Sequence, residues 1–207
     1  LPLMPEIWDE PFGDSSNIPT TLVSRLARKD VTVSLSADGG DEIFGGYDKY
    51  IQALKYQRAL SKLPFTRTFG FILEAVNPKY LIGLNKTYNF VNRYEKLKTL
   101  LKAKDEIEMM RGVSYYFNPS EVDSLLGKAT IIKTSFDDKI LLNSHNDAID
   151  KMMAIDYKTY QLDDILTKVD RATMSVGLEG REPFLDHRII EFVSQLPSSY
   201  KIKDGNK

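Results

Sequence analysis

The stretch Ser36-Ala37-Asp38-Gly39-Gly40-Asp41-Glu42-Ile43-Phe44-Gly45-Gly46-Tyr47 constrains the fold more than any other part of the chain. It follows Val31-Thr32-Val33-Ser34-Leu35, a β-branched run whose alternation reads as a strand. Beyond Gly46 the apolar spacing becomes helical. Strand, glycine-rich acidic turn and helix in that order suit a parallel α/β layer, where the turn lies at the carboxyl end of a strand and faces the ligand. Glycine permits a sharp turn and close backbone approach, and amides at a helix start attract anions. Asp38, Asp41 and Glu42 would nevertheless repel a bare phosphate. Acid and glycine together suit Mg2+ carrying phosphates, with carboxylates on the metal and amides on the oxygens. A polar turn whose Asp41 and Glu42 favour the first turn of a helix accounts for the same residues. Pattern alone leaves both readings open. It does exclude three motifs: no Gly-Lys-Ser/Thr follows, the glycine spacing is not that of a dinucleotide fingerprint, and EF-hand spacing is lacking.

Residues 1–19 are rich in proline, glycine and serine and read as loop. Pro19 is expected to open a helix ending near Lys29, with Leu22, Val23, Leu26 and Ala27 as its buried face. Asp48 to Leu60 continues helical, and Tyr47, Ile51, Leu54 and Tyr56 at that spacing are expected in the core. Leu63-Pro64 breaks the chain before a helix over Phe65 to Val76. Apolar spacing then predicts helices over Phe90–Leu101 and Ile107–Tyr116, and a short one from Pro119. Lys96, Lys98, Lys102 and Lys104 read as a solvated helix face. Ser135 to Tyr160 adds one or two more helices, and His145, beside Asn146, has no second ligand at a useful spacing.

In Asp163–Met174 and just beyond it, the residues Ile165, Val169, Ala172 and Val176 form one buried stripe. Asp164, Lys168 and Arg171 share another face, with Asp163, Thr167 and Asp170 beside them. One reading is a surface row whose Asp164–Lys168 pair contributes a few tenths of a kcal/mol, roughly. The other is a mixed-charge face turned towards phosphate and a carboxylate substrate. There the cations neutralise oxygens, and the aspartates orient them or meet an ammonium group. Glu179 and Arg181 are expected to clamp the loop before Pro183. Asp186 reads as an N-cap with Leu185 and Ile190 as a hydrophobic staple. Leu185, Ile189, Phe192 or Val193, and Leu196 would be the buried face of that helix, and His187 is read as structural.

Composition narrows the chemistry. The 207 residues carry a net charge of −1, which argues for neither nucleic acid nor an anionic membrane as partner. There is no cysteine, which excludes disulfides, thiolate zinc sites and thiol nucleophiles. No apolar run approaches the ~20 residues of a membrane span, and the cytoplasm is the expected compartment. Leu1 is not a natural start and Asp204-Gly205-Asn206-Lys207 adds no closing element, so the sequence reads as a piece of a longer protein.

Three ordered blocks resemble motifs of the glutamine-hydrolysing asparagine synthetases: the turn above, Asp163–Met174, and Leu178–Arg188. Trp8–Ser16 is similar to a further element of that family. The resemblance runs from about Leu3 to Ile202 and is thin between Ala53 and Asn146. It implies an α/β, mostly helical piece of an adenine-nucleotide alpha-hydrolase-like (ATP pyrophosphatase) domain with few parallel strands. Residues 1–60 would form the strand–turn–helix unit, 61–145 a variable helical region, and 146–207 the segment lining the cleft. The implied reaction activates aspartate with ATP through β-aspartyl-AMP, Mg-pyrophosphate leaves, and ammonia from glutamine gives asparagine. The implied cofactors are ATP and Mg2+.

Residue by residue, the resemblance places Mg2+ at Asp41 and the aspartyl substrate at Asp38, with Ser36, Gly39 and Gly40 in contact with that substrate. Asp14 and Ser15 would lie near pyrophosphate, and Lys168, Arg171, Asp164 and Asp170 on the cleft-lining helix. Ala37 departs from the family, which usually has glycine there. The serine-glycine-glycine pyrophosphate loop is expected before Leu1, a catalytic lysine after Lys207, and the glutaminase domain in a separate N-terminal part. This stretch by itself is expected to be inactive, and the parent to form a homodimer. Two rivals remain: a relative with another acceptor, such as a β-lactam synthetase or a surface-polysaccharide amidating protein, and a non-catalytic helical interaction module.

Overall fold

A computed structural model describes residues 2–76, 78–81, 89–117, 119–127, 133–145 and 147–203. The terminal residues Leu1 and Asp204–Lys207, and the Asn146 neighbour of His145, lie outside the described residues. The helices are α1 (Met4–Trp8), α2 (Asn17–Ala27), α3 (Gly40–Phe44), α4 (Asp48–Ser61), α5 (Thr66–Glu74), α6 (Phe90–Lys102), α7 (Glu106–Ser114), α8 (Pro119–Leu126), α9 (Lys139–Ser144), α10 (Ala148–Lys158), α11 (Thr167–Met174), α12 (His187–Ser194) and α13 (Ser198–Lys201). Two short strands, β1 (Val33–Leu35) and β2 (Glu179–Arg181), pair in parallel. The protein is thus mostly helical with a small parallel sheet, as expected. Among the described residues no helix is long and apolar enough to cross a membrane.

Two compact units share the chain: residues 1–46 with 153–207, and residues 47–152. In the first, the register is Val33 opposite Glu179, Ser34 opposite Gly180 and Leu35 opposite Arg181. The Glu179 N–H donates to the Thr32 carbonyl at 2.9 Å, and the Ser36 N–H to the Arg181 carbonyl at 3.0 Å. Glu179 and Arg181 therefore lie in a strand rather than in the expected loop. A Glu-Gly-Arg tripeptide carries no β-branched residue, so only pairing with β1 reveals it. Their side chains, two apart on one face of β2, meet at 2.7 Å, mostly exposed.

α2 packs on α11, but not with the face that apolar spacing selects. Leu22, Val23 and Leu26 are 59%, 65% and 63% exposed, whereas Asn17, Thr21 and Ser24 are buried. The buried hydroxyls are satisfied within the helix. Thr21 Oγ1 donates to the Asn17 carbonyl and Ser24 Oγ to the Thr20 carbonyl, both at 2.8 Å. Small satisfied side chains let α2 lie close to α11, which buries Ala172 and Thr173. The amino-terminal loop also needs correction. It contains α1, with Pro5 in its first turn, and α2 begins at Asn17, before Pro19. Trp8 is buried and stacks on Phe12, with ring centroids 4.3 Å apart.

In the second unit α4 packs on α7, α5 on α6, and α6 on α7. Tyr50, Ala53, Met109 and Met110 are buried there together with Ile51. Tyr56 is exposed, and Tyr47 and Leu54 are half-buried, so the core side of α4 is centred on Tyr50 and Ala53. Asp105 caps α7 by accepting the Ile107 and Glu108 N–H groups at 3.0 and 2.8 Å. Gly70 lets α5 approach α6: a Cβ there would lie 2.8 Å from Lys102 Cγ and 3.1 Å from Leu101 Cβ.

Candidate active site

β1 delivers the acidic turn at its carboxyl end. Gly39 takes φ 89° and Gly45 φ 76°, left-handed values that bracket α3 and favour glycine. Ser36 Oγ donates to Asp38 Oδ2 at 2.7 Å and so fixes that carboxylate. The bare Cα faces of the glycine pair admit side chains from the Leu178–Arg188 block. A Cβ on Gly39 would collide with Leu185, and one on Gly40 would come within 3.3 Å of the Phe184 ring. Phe184 also meets Phe44 edge-on, with centroids 5.8 Å apart. Two motifs far apart in sequence are therefore one packed object.

Asp41 is exposed in the first turn of α3, and its carboxylate lies against Gly46, where any side chain would collide with it. Among the described residues no group of three or more histidine, cysteine or acidic side chains is placed to hold a metal ion. A single exposed carboxylate fits Mg2+ that arrives on phosphates, because such an ion takes one or two protein carboxylates and draws its other ligands from phosphate and water. Glu42, by contrast, is buried.

Asp38 faces company that sequence reasoning missed. Glu182, directly after β2, is half-buried. Burial pushes its carboxyl above the usual glutamate range, and the charges of Asp38 and Asp170 push it further. Asp38, Asp170 and Glu182 thus share one electrostatic neighbourhood. Recognising β2 would have exposed the signal, since Arg181 pairs opposite Leu35 and Glu182 then follows beside the acidic turn.

The polar helix begins differently from its expected form. Tyr160–Leu166 is a π-helical segment, and regular α-helix starts only at Thr167. The predicted apolar stripe survives it: Ile165, Val169 and Ala172 are buried and Val176 half-buried. Lys168 Nζ donates to Asp14 Oδ2 at 2.7 Å and to Ser16 Oγ at 2.9 Å. Ser16 in turn donates to Asp14 through its N–H at 2.8 Å and its Oγ at 2.7 Å. Burial opposes ionisation of Asp14, but these donors outweigh it and lower the pKa to about 2. Arg171 donates to Asp9 at 2.6 Å near the surface. Asp164 is half-buried in the π segment, and Asp170 and Ser15 are exposed. The structure thus joins Asp14 to Lys168, and sets Asp38 and Asp170 each within electrostatic reach of Glu182. It ties Arg171 to the Asp9 loop. An open groove of about 430 Å³ between Arg28 and Val33 lies at the amino end of β1, the wrong end for a ligand of a parallel sheet.

A mostly helical chain with a small parallel sheet, and an acidic glycine turn at the carboxyl end of its first strand, has the ATP pyrophosphatase fold. Within that class the chain belongs to the asparagine synthase family, whose model matches residues 1–207. It is 31% identical over 210 residues to asparagine synthetase (glutamine-hydrolysing) 1 of Bacillus subtilis, covering 99% of this chain and 31% of that protein. It is 32% identical over 208 residues to a provisionally named glutamine-hydrolysing asparagine synthetase of Mycobacterium tuberculosis, covering 96% and 30%. A likewise provisionally named Methanocaldococcus jannaschii protein is 34% identical over 175 residues, covering 81% and 30%. The chain therefore spans about a third of the length of the curated relatives it matches. No solved structure matches it.

Proposed function

We propose that this chain is the part of an ATP-dependent amide ligase that converts aspartate to asparagine. In this reading a β-carboxylate oxygen of aspartate attacks the α-phosphorus of ATP, and pyrophosphate leaves. The nitrogen of ammonia then attacks the β-aspartyl-AMP carbonyl, and AMP leaves. The observation that carries the reading is the packing of the two family motifs into one site: Leu185 and Phe184 seated on Gly39 and Gly40, beside Asp38. Asp41 is the residue that would hold Mg2+, which supplies positive charge to the departing pyrophosphate. Ser36 orients Asp38 towards the aspartyl substrate. The Asp38, Asp170 and Glu182 carboxylates suit an ammonium group, either that of the amino acid or incoming ammonia before it loses a proton. Lys168 holds the Asp14–Ser16 loop, which the family resemblance assigns to pyrophosphate, to the helix that carries Asp170.

The same proposal includes glutamine as the ammonia source, a separate N-terminal glutaminase domain, a homodimeric cytoplasmic parent, and division of this chain into 1–60, 61–145 and 146–207. The test is pyrophosphate release by the full-length protein with ATP, aspartate and ammonia. Asp41→Asn should weaken activity and raise the Mg2+ concentration it requires. An unchanged Mg2+ dependence refutes the metal role, and release driven only by another carboxylate acceptor refutes aspartate.

A further inference from the structure

Gln161 and Glu42 are among the most deeply buried polar side chains, 1% and 2% exposed. They come from different motifs. Glu42 follows Asp41 in the first turn of α3, and Gln161 is the second residue of the π segment. With the Gln161 amide oriented so that donor meets acceptor, its nitrogen donates to both Glu42 carboxylate oxygens, at 2.8 and 2.9 Å. The same amide reaches within 3.7 Å of where a Cβ on Gly39 would lie. Gln161 therefore holds the turn at Glu42 and lies beside Gly39 at its other end, and between those points lie Gly40 and the exposed Asp41.

We infer that Gln161 is a positioning residue for the Gly39–Glu42 turn, and that the π segment exists to deliver it. A π turn adds a residue to a helix and weakens its hydrogen-bond ladder, so it persists where something else is gained. Here the gain is a buried amide donor shared by both Glu42 carboxyl oxygens, a contact that is costly to leave unmade. A carboxylate this deeply buried requires such donors. The contact fixes Glu42, Glu42 fixes the first turn of α3, and that turn aims Asp41. The neighbouring acids differ in role accordingly: Asp41 faces outward to meet a ligand, and Glu42 faces inward as its anchor. The effect on turnover rests on the function proposed above; the effect on the turn does not.

The test uses the full-length protein with two readouts. The first is hydrogen exchange of the amides in residues 39–43. Gln161→Leu should speed that exchange roughly tenfold or more, with α2 and α6 unchanged. The second is pyrophosphate release, where kcat should fall by a similar factor with little change in the KM for ammonia. The rescue variant is Glu42→Gln combined with Gln161→Glu, which exchanges donor and acceptor. It should restore turn protection and most of kcat, whereas each single change should not. Unchanged exchange in Gln161→Leu overturns the inference. So does an exchanged pair no better than the product of its single variants, including the case where the single variants unfold and the pair does not refold them. If the wild-type protein releases no pyrophosphate, the proposed function fails, and the exchange readout still decides the role of Gln161.

Discussion

Replacing Lys168 by methionine removes the cation from the Asp14–Ser16 loop and keeps most of the side-chain volume. The size of the effect follows from the titration of Asp14. Its pKa moves from 3.8 to about 2. That difference of about 1.8, at ~1.36 kcal/mol per unit, sets a ceiling of roughly 2–3 kcal/mol for the net stabilisation of the folded state by the ionised carboxylate. The Lys168 and Asp14 side chains are 10% and 17% exposed, so solvent screening removes only part of this. Ser16 keeps donating after the change, so Lys168 accounts for about half or more of the ceiling, on the order of 1–2 kcal/mol. A double-mutant cycle with Asp14→Asn isolates it, read by hydrogen exchange across α2 and α11, which needs no assumption that a protein with two units unfolds as one. Because the folded pKa lies below the unfolded one, the contribution is complete above about pH 4 and disappears as the pH falls towards 2. Lys168→Met should flatten that dependence. A coupling energy below roughly 0.3 kcal/mol, or an unchanged acid profile, refutes the clamp.

Glu182→Gln should act in the opposite pH direction. The folded carboxyl titrates above its unfolded value, so its ionisation opposes folding, and stability falls as the pH rises from the unfolded towards the folded pKa. The variant should remove that slope and be the more stable form at neutral pH; a slope retained in urea titrations at several pH values counts against the three-carboxylate neighbourhood. Gly39→Ala meets both a left-handed φ of 89° and the Leu185 side chain, and should cost on the order of 2–4 kcal/mol. The paired change Gly39→Ala with Leu185→Ala should recover the steric part alone, as a partial rise in thermal midpoint, and no recovery would mean that Leu185 does not fill the space.

Much of the architecture was legible because it rests on local rules. The strand before the glycine turn, the helices of the middle third and the Ile165–Val169–Ala172 stripe all follow from period and punctuation. The Asp186 cap also forms, accepting the Arg188 N–H at 2.9 Å. Phe192 is exposed and Val193 buried, which resolves an alternative that a short helix leaves open. What failed depended on partners distant in sequence. Leu22, Val23 and Leu26 look like a core face, yet α11 demands close approach and receives Thr21 and Ser24 instead. β2 is invisible without β1. The π segment is invisible to any reading that assumes 3.6 residues per turn, and with it went Gln161.

Under the function proposed above, the charge balance of the site bears on how an acidic turn would serve an acidic substrate. Lys168 and Arg171 look like phosphate-neutralising cations, but Lys168 is committed to Asp14 and Arg171 to Asp9. Glu182 follows β2 beside Asp38; burial pushes its carboxyl up first, and the negative charges of Asp38 and Asp170 add to that push. A bare triphosphate or dicarboxylate entering beside these carboxylates gains nothing from Coulomb attraction. Divalent metal reverses the sign for phosphate, while an ammonium group is drawn directly to the carboxylates. The two demands fall on different residues: Asp41 is exposed at the start of α3, whereas Asp38 and Asp170 act on Glu182, directly after β2. On this reasoning the turn binds its anion only as a metal complex, so raising phosphate ligand without metal should fail to protect the Gly39–Glu42 amides from exchange. Protection by metal-free nucleotide would mean that the Lys168 or Arg171 pair opens to bind it.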